Sequence, residues 1–167
     1  LAEVSVEVAE ADEIDRWASR GGLNQLEQLL AARVIEELRE PSSIVADGER
    51  LFAPLSERFP QLDARNKADA SEVTVAAASI VAKDERDRRL EALLDEEARD
   101  LGPVSGGGYP NAATARFLRA YVDKHERLPR GVRQSWSWGV LLELKEGLGD
   151  KAPLPAEQLG LLGAAEP

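Results

Sequence analysis

Two short apolar stretches, SSIVAD and LDARNK, each run into a polar or acidic end and then give way to a helical pattern. This alternation of strand and helix narrows the possible folds more than any other feature of the chain. A helix-length connection between two strands brings them side by side and parallel, so the chain reads as an α/β fold in which these two strands pair. The opening LAEVSVEVAE sets Val4, Val6 and Val8 against Glu3, Ser5 and Glu7, the period of a half-buried strand. A short acidic helix over Ala11 to Ala18 is closed by Gly21-Gly22. The spacing of Leu26, Leu29, Leu30, Val34 and Leu38 predicts an amphipathic helix from Leu23, which Pro41 ends. After Asp47-Gly48 a helix is expected to about Phe59, stopped by Pro60. Another is expected after Asp69, running to about Asp100, and then comes the glycine-rich loop GPVSGGGYP. A helix over 112–126 is broken by PRG, and SWSWGVLLELKEG makes the last helix. Residues 1–148 read as one domain, with 149–167 a Pro, Gly, Ala and Leu tail.

A chain of 167 residues suits one domain with a real core, and 43% hydrophobic with 31% charged residues is ordinary globular composition. There is no cysteine, which excludes disulfides and thiolate metal sites and fits a cytoplasmic protein. No apolar run approaches the roughly 20 residues of a membrane span, and the first residues lack a basic-then-apolar signal pattern. The net charge of −10 argues against a polyanionic ligand until its distribution is read. Residues 1–64 hold 6 basic and 14 acidic side chains, whereas residues 114–136 hold 6 basic and 2 acidic. That basic stretch is either a solvated helix face or a local patch for a phosphate backbone.

In α/β sheets ligands gather beyond the carboxyl ends of the strands. Asp47 closes SSIVAD, and Asp69 lies just after LDARNK. If the strands are neighbours, the two carboxylates can converge on a hard cation such as magnesium, which takes one or two carboxylates plus phosphate and water. The structural alternatives are a turn at Asp47-Gly48 and a helix start at Asp69, which has capping-box spacing to Glu72. The small residues Ala76, Ala77, Ala78 and Ser79, flanked by Lys67 and Lys83, suit a helix packed close to a sheet or a ligand backbone.

The stretch KADASEVTVAAASIVAKDERDRRL resembles the central signature of ribonuclease HII, the type 2 ribonuclease H family, which includes the catalytic subunit of the eukaryotic enzyme. Asp69, Ser79, Ile80, Lys83, Arg86 and Asp87 fill its motif positions. GGGYPN is similar to the family's Gly-x-Gly-Tyr-Pro-Asn loop and VRQSWSW to its Val-Arg-x-Ser-Trp element. Upstream, EIDRW…GGLNQLE and IVAD resemble two further family segments. The resemblance spans about residues 1–146, and the Tyr-Pro and Arg-x-Ser-Trp forms lean towards the archaeal and eukaryotic branch.

The resemblance implies a ribonuclease H-like mixed sheet flanked by helices, with a C-terminal helical part. It also implies magnesium- or manganese-dependent hydrolysis of RNA in RNA/DNA hybrids and at ribonucleotides embedded in duplex DNA, leaving a 3′-hydroxyl and a 5′-phosphate. Such chemistry belongs to DNA replication and repair. Asp47 and Asp69 match two of the family's four carboxylates, and Tyr109 the tyrosine that stacks on the sugar beside the ribonucleotide. Arg133 and Ser135, with Lys67, Ser79 and Lys83, match positions that touch phosphates, and Asn24 a position near substrate. The family's first strand, carrying Asp-Glu-Ala-Gly-Arg-Gly and the other two carboxylates, has no counterpart here. Asp12-Glu13 is followed by no Gly-Arg-Gly and aligns with an ordinary family helix. LAEVSVEVAE matches the family's third strand, so the first two strands of the family fold are expected to be missing from this chain. Three readings follow. In the first, the missing strands come from upstream or from a second chain. The second is a non-catalytic nucleic-acid-binding module, and the third an acidic protein-interaction domain. His125 reads as a surface residue, and Trp136 and Trp138 as core or groove wall.

Overall fold

The computed structural model describes residues 3–39, 41–102, 104 and 106–149. The expected tail from residue 150 onward lies outside the described residues. Helices dominate: α1 (Ala11–Ala18), α2 (Leu23–Glu37), α3 (Glu49–Phe52), α4 (Val73–Glu97), α5 (Ala112–His125) and α6 (Gly139–Leu148). Two strands, β1 (Ile44–Asp47) and β2 (Leu62–Arg65), form a parallel sheet in which Ile44 faces Leu62 and Asp47 faces Arg65. The expected parallel pairing is therefore present. No helix among the described residues is long and apolar enough to cross a membrane.

The chain divides into two compact units, residues 1–9 with 21–85, and residues 10–20 with 86–167. Helix α4 begins in the first and ends in the second.

In the first unit the connection between the strands is a short α3 followed by a 3-10 turn, Ala53–Glu57, rather than one helix to Phe59. Pro54 explains the change, since proline is tolerated at the start of a helical turn and breaks the bond pattern of a longer one. The opening stretch forms no strand over residues 3–10. Val4 and Val6 remain 62% and 42% exposed, while Ser5 donates to Glu37 and Glu7 faces Arg33 at 3.9 Å. Alternation marks which face a strand would bury, but a strand exists only through hydrogen bonds to a neighbour, and none pairs with this stretch among the described residues. Among the described residues the buried apolar side chains of this unit are few, namely Leu26, Ala32 and Ala68, and Val73 and Ile80 on α4 stand exposed.

The second unit carries the larger core. Ala98, Phe117, Leu118 and Tyr121 pack with Leu94, Leu101, Val132 and Trp138, and Leu128, Leu141 and Leu148 form an adjoining cluster. The apolar face of α5 makes this core. Asn111 caps the helix, its Oδ1 accepting from the backbone N–H of Ala113 at 2.8 Å and of Thr114 at 3.0 Å. The helix closes at Glu126 in the left-handed conformation. Helix α1 places Asp12 and Glu13 in its first turn and Arg16 in its last, the favourable sense for the helix dipole.

Candidate functional site

The carboxyl ends of β1 and β2 carry the first cluster. Asp47 is the last residue of β1, and the chain leaving β2 passes through Asn66 and Lys67 into a 3-10 turn, Ala68–Ala70. Lys67 holds φ at 58°, the left-handed region that a non-glycine residue enters at a cost of about 1–2 kcal/mol. This conformation drives Ala68 fully inside and turns its N–H onto Asp47, whose Oδ1 accepts at 3.2 Å. Asn66 braces the same corner, accepting from the Glu49 N–H at 3.2 Å and donating to the Glu49 carboxylate at 3.1 Å. Arg65 bonds Glu72 at 2.9 Å and faces Asp63 at 3.1 Å.

The turn thus fastens the Lys67–Asp69 segment to the end of β1. Asp47 and Asp69 are both exposed, and the Asp69 carboxylate accepts no hydrogen bond among the described residues. The capping alternative fails, because α4 starts at Val73 and Glu72 is engaged by Arg65. Exposed carboxylate oxygens are the donor set that magnesium or manganese prefers. Among the described residues, no group of three or more potential ligands gathers into a metal-binding cluster. Lys67 and Lys83 are exposed, Ser79 is half-buried, and none of the three side chains makes a hydrogen bond or ion pair among the described residues. Asn24 is exposed on the first turn of α2 and does not cap it; Gly22 stands at the cap position.

The second unit holds the other sequence-derived residues. Tyr109, 53% exposed, stacks on Trp136 with ring centres 5.9 Å apart and planes at 22°. The Arg133 guanidinium lies 4.9 Å from the Trp136 ring centre. The Tyr109 carbonyl accepts from Asn111 Nδ2 and from Thr114 Oγ1, both at 2.9 Å, so the start of α5 fixes the loop that presents the ring. Asp15 on α1 takes the backbone N–H groups of Gln134 at 2.7 Å and Ser135 at 2.9 Å, fixing the Arg-Gln-Ser-Trp turn. Sequence reasoning gave Asp15 no role, although it lies within EIDRW, because its partners are 119 and 120 residues away.

Much of the basic stretch 114–136 is neutralised by its neighbours. Arg119 pairs with Glu143 at 2.9 Å, Lys124 with Asp100, and Arg127 and Arg130 with Glu97, Arg130 also reaching Glu96. Arg116 and Arg133 make no ion pair among the described residues. Glu97 is the hub of this group. Burial alone would raise its pKa, but hydrogen bonds from Arg130 and Tyr121 outweigh it and hold the carboxyl at about 2. Burial, reinforced by Glu97, pushes the Tyr121 hydroxyl up to about 12. Asp12 is engaged by Arg16 at 2.7 Å within α1, as an ordinary helix pair. His125 is not a surface residue: it is half-buried, its ring lies 4.4 Å from that of Tyr121, and its Nε2 is buried without a hydrogen-bond partner among the described residues. Trp138 packs in the core as expected, and Trp136 borders the core while carrying Tyr109.

Comparison with known proteins agrees with the motif blocks. The family model described as ribonuclease HII matches residues 2–138. A ribonuclease HII of Methanothermobacter thermautotrophicus is 35% identical over 146 residues, covering 82% of this chain and 68% of the relative. Ribonucleases HII of Thermococcus sibiricus and Haloarcula marismortui are 33% and 34% identical, each across 82% of this chain and 62% and 64% of their own lengths. The chain therefore spans about two thirds of the length of these relatives. With the match covering most of its length and motif blocks, the chain belongs to the ribonuclease HII family.

Proposed function

We propose that this chain works as a metal-dependent endoribonuclease of the cytoplasm. It hydrolyses the RNA strand of RNA/DNA hybrids and cuts duplex DNA at embedded ribonucleotides. The observation that carries the reading is the corner where β1 and β2 end. A left-handed Lys67 sets Asp69 next to the turn that bonds Asp47, at the place where an α/β sheet collects its ligands. Asp47 and Asp69 would hold magnesium or manganese. The bound ion would activate the attacking water and stabilise the leaving oxygen. Lys67 precedes the 3-10 turn, Ser79 and Lys83 lie on α4, and all three would meet phosphates. Tyr109, 53% exposed, would meet a sugar, where the 2′-hydroxyl separates RNA from DNA. Arg133 and Ser135, presented by the turn that Asp15 fixes, bind backbone phosphate and contribute position rather than sequence readout. Asn24 approaches substrate from the start of α2.

The site is completed by further carboxylates and strands, upstream of this segment or on a second chain. Three observations favour this. Among the described residues the sheet has two strands, so both present an unpaired edge. Val4, Val6, Val73 and Ile80 remain uncovered in the same unit. The chain spans about two thirds of its relatives. The test is magnesium-dependent cleavage of a duplex containing one ribonucleotide, measured for the chain alone and with the family's Asp-Glu-Ala-Gly-Arg-Gly segment restored. The reading expects binding by the chain alone and cutting once the segment is present. Absence of both under either condition would overturn it, and cutting by the chain alone would remove the need for the segment.

A further inference from the structure

The Tyr109 ring is held by more than its stack on Trp136. Arg86, on α4, lies with its guanidinium carbon 5.6 Å from the centre of that ring. The guanidinium is itself fixed, donating to Asp87 Oδ1 through Nε at 2.8 Å and Nη2 at 2.7 Å. Gly107 makes room for it: at φ 62°, a Cβ on this residue would stand 2.8 Å from the Arg86 guanidinium carbon. A residue with a side chain would therefore be strained in its backbone and would also displace the arginine. Arg86, Asp87, Gly107, Tyr109 and Trp136 all belong to the second unit.

Arg86 and Asp87 fill positions of the family's central motif, but the motif by itself gives the pair no role beyond neighbouring charges on a helix. The glycine contact and the aromatic contact give it another. An exposed tyrosine exchanges rotamers quickly unless something stops it, and a ring that must lie flat on one sugar needs a fixed orientation. The geometry points to Arg86 as a positioning residue: anchored by Asp87 and admitted by Gly107, it locks the Tyr109 ring in the orientation that meets the ribonucleotide's neighbouring sugar. This rests on the proposed role of Tyr109 and adds its support.

The test compares Arg86→Ala, Arg86→Lys, Tyr109→Ala and the Arg86→Ala/Tyr109→Ala double variant. The readouts are affinity for a duplex with one embedded ribonucleotide, affinity for the all-DNA duplex, and near-ultraviolet circular dichroism, with far-ultraviolet spectra confirming folding. Arg86→Ala is expected to weaken binding to the ribonucleotide duplex by about two- to five-fold, the scale of an exposed cation–π contact, and to leave the all-DNA duplex unchanged. Arg86→Lys, which keeps the charge but loses the planar fork, should fall between Arg86→Ala and the parent. The double variant should bind no more weakly than Tyr109→Ala. Equal loss on both duplexes, or additive losses in the double variant, would show Arg86 touching phosphate directly and overturn the proposal. If the parent chain does not distinguish the two duplexes, the proposed role of Tyr109 fails, and dichroism still decides the positioning role. Loss of the Tyr109–Trp136 aromatic signal in Arg86→Ala sustains it, and an unchanged signal overturns it.

Discussion

Replacing Glu97 with Gln should destabilise the second unit in a pH-dependent way. Glu97 ends α4, and its side chain is 8% exposed. It accepts from Tyr121 Oη at 2.8 Å, from the Arg130 backbone N–H at 3.2 Å and from the Arg130 guanidinium, with Arg127 at 3.5 Å. Burial opposes the charge, but these partners win, and the pKa falls from 4.5 to about 2. A depressed carboxylate pKa stabilises the fold fully above the unfolded value. That contribution is then lost as pH falls through the folded value, so the window runs from 4.5 down to about 2. A shift of this size corresponds to about 3 kcal/mol at neutral pH. Glu97→Gln keeps the shape and discards the charge, so urea unfolding should show a loss of about 2–3 kcal/mol at neutral pH. The gap between the parent and the variant should close on acidification. Burial, with the Glu97 charge added to it, holds the Tyr121 hydroxyl up to about 12, so removing that charge should lower the variant's tyrosine titration in the ultraviolet while burial keeps it raised. A loss under about 0.5 kcal/mol at neutral pH, the scale of an ordinary surface substitution, would refute the reasoning. So would a gap that stays constant through the acid window.

Other perturbations probe the site directly. Lys67→Gly should relieve about 1 kcal/mol of left-handed strain and raise the thermal midpoint, while removal of the charge weakens nucleic-acid binding in a filter or anisotropy assay. Asp15→Ala leaves the Gln134 and Ser135 N–H groups without their acceptor, and should cost about 1–3 kcal/mol in denaturant unfolding, with weaker duplex binding in parallel. Since four of the six basic residues over 114–136 are already paired with acids, the slope of log affinity against log salt from this stretch should correspond to about two phosphates rather than about six.

Periodicity and stop signals located most of the helices, but the one expected to Phe59 breaks at Pro54, and the last begins at Gly139 rather than within SWSW. Helix α1 spans the residues its charges and glycines delimit, and α2 ends at Glu37, one residue before Leu38 and short of Pro41. The parallel pair was legible because a strand, a helical connection and a second strand leave little choice of topology. LAEVSVEVAE misled because its alternation describes a face and not a partner, and pairing is a property of the whole sheet. The positions of Asp47 and Asp69 at strand ends followed from the sequence, but not the left-handed turn at Lys67, since no local propensity places a lysine there. The basic stretch looked like an open patch because sequence shows charges and not their partners. Glu97, Asp100 and Glu143 come from other elements. The roles of Asp15 and Arg86 depend on contacts across many residues and on a glycine whose missing side chain is the signal.

The central claim is that Asp69 belongs to a metal-dependent nuclease site. Its most direct test is Asp69→Asn in the form of the protein that cuts, with cleavage and binding of a duplex carrying one ribonucleotide measured side by side in magnesium and in manganese. The account predicts that cutting is abolished while affinity for the duplex is retained. Retained cutting would take Asp69 out of the site and contradict the account.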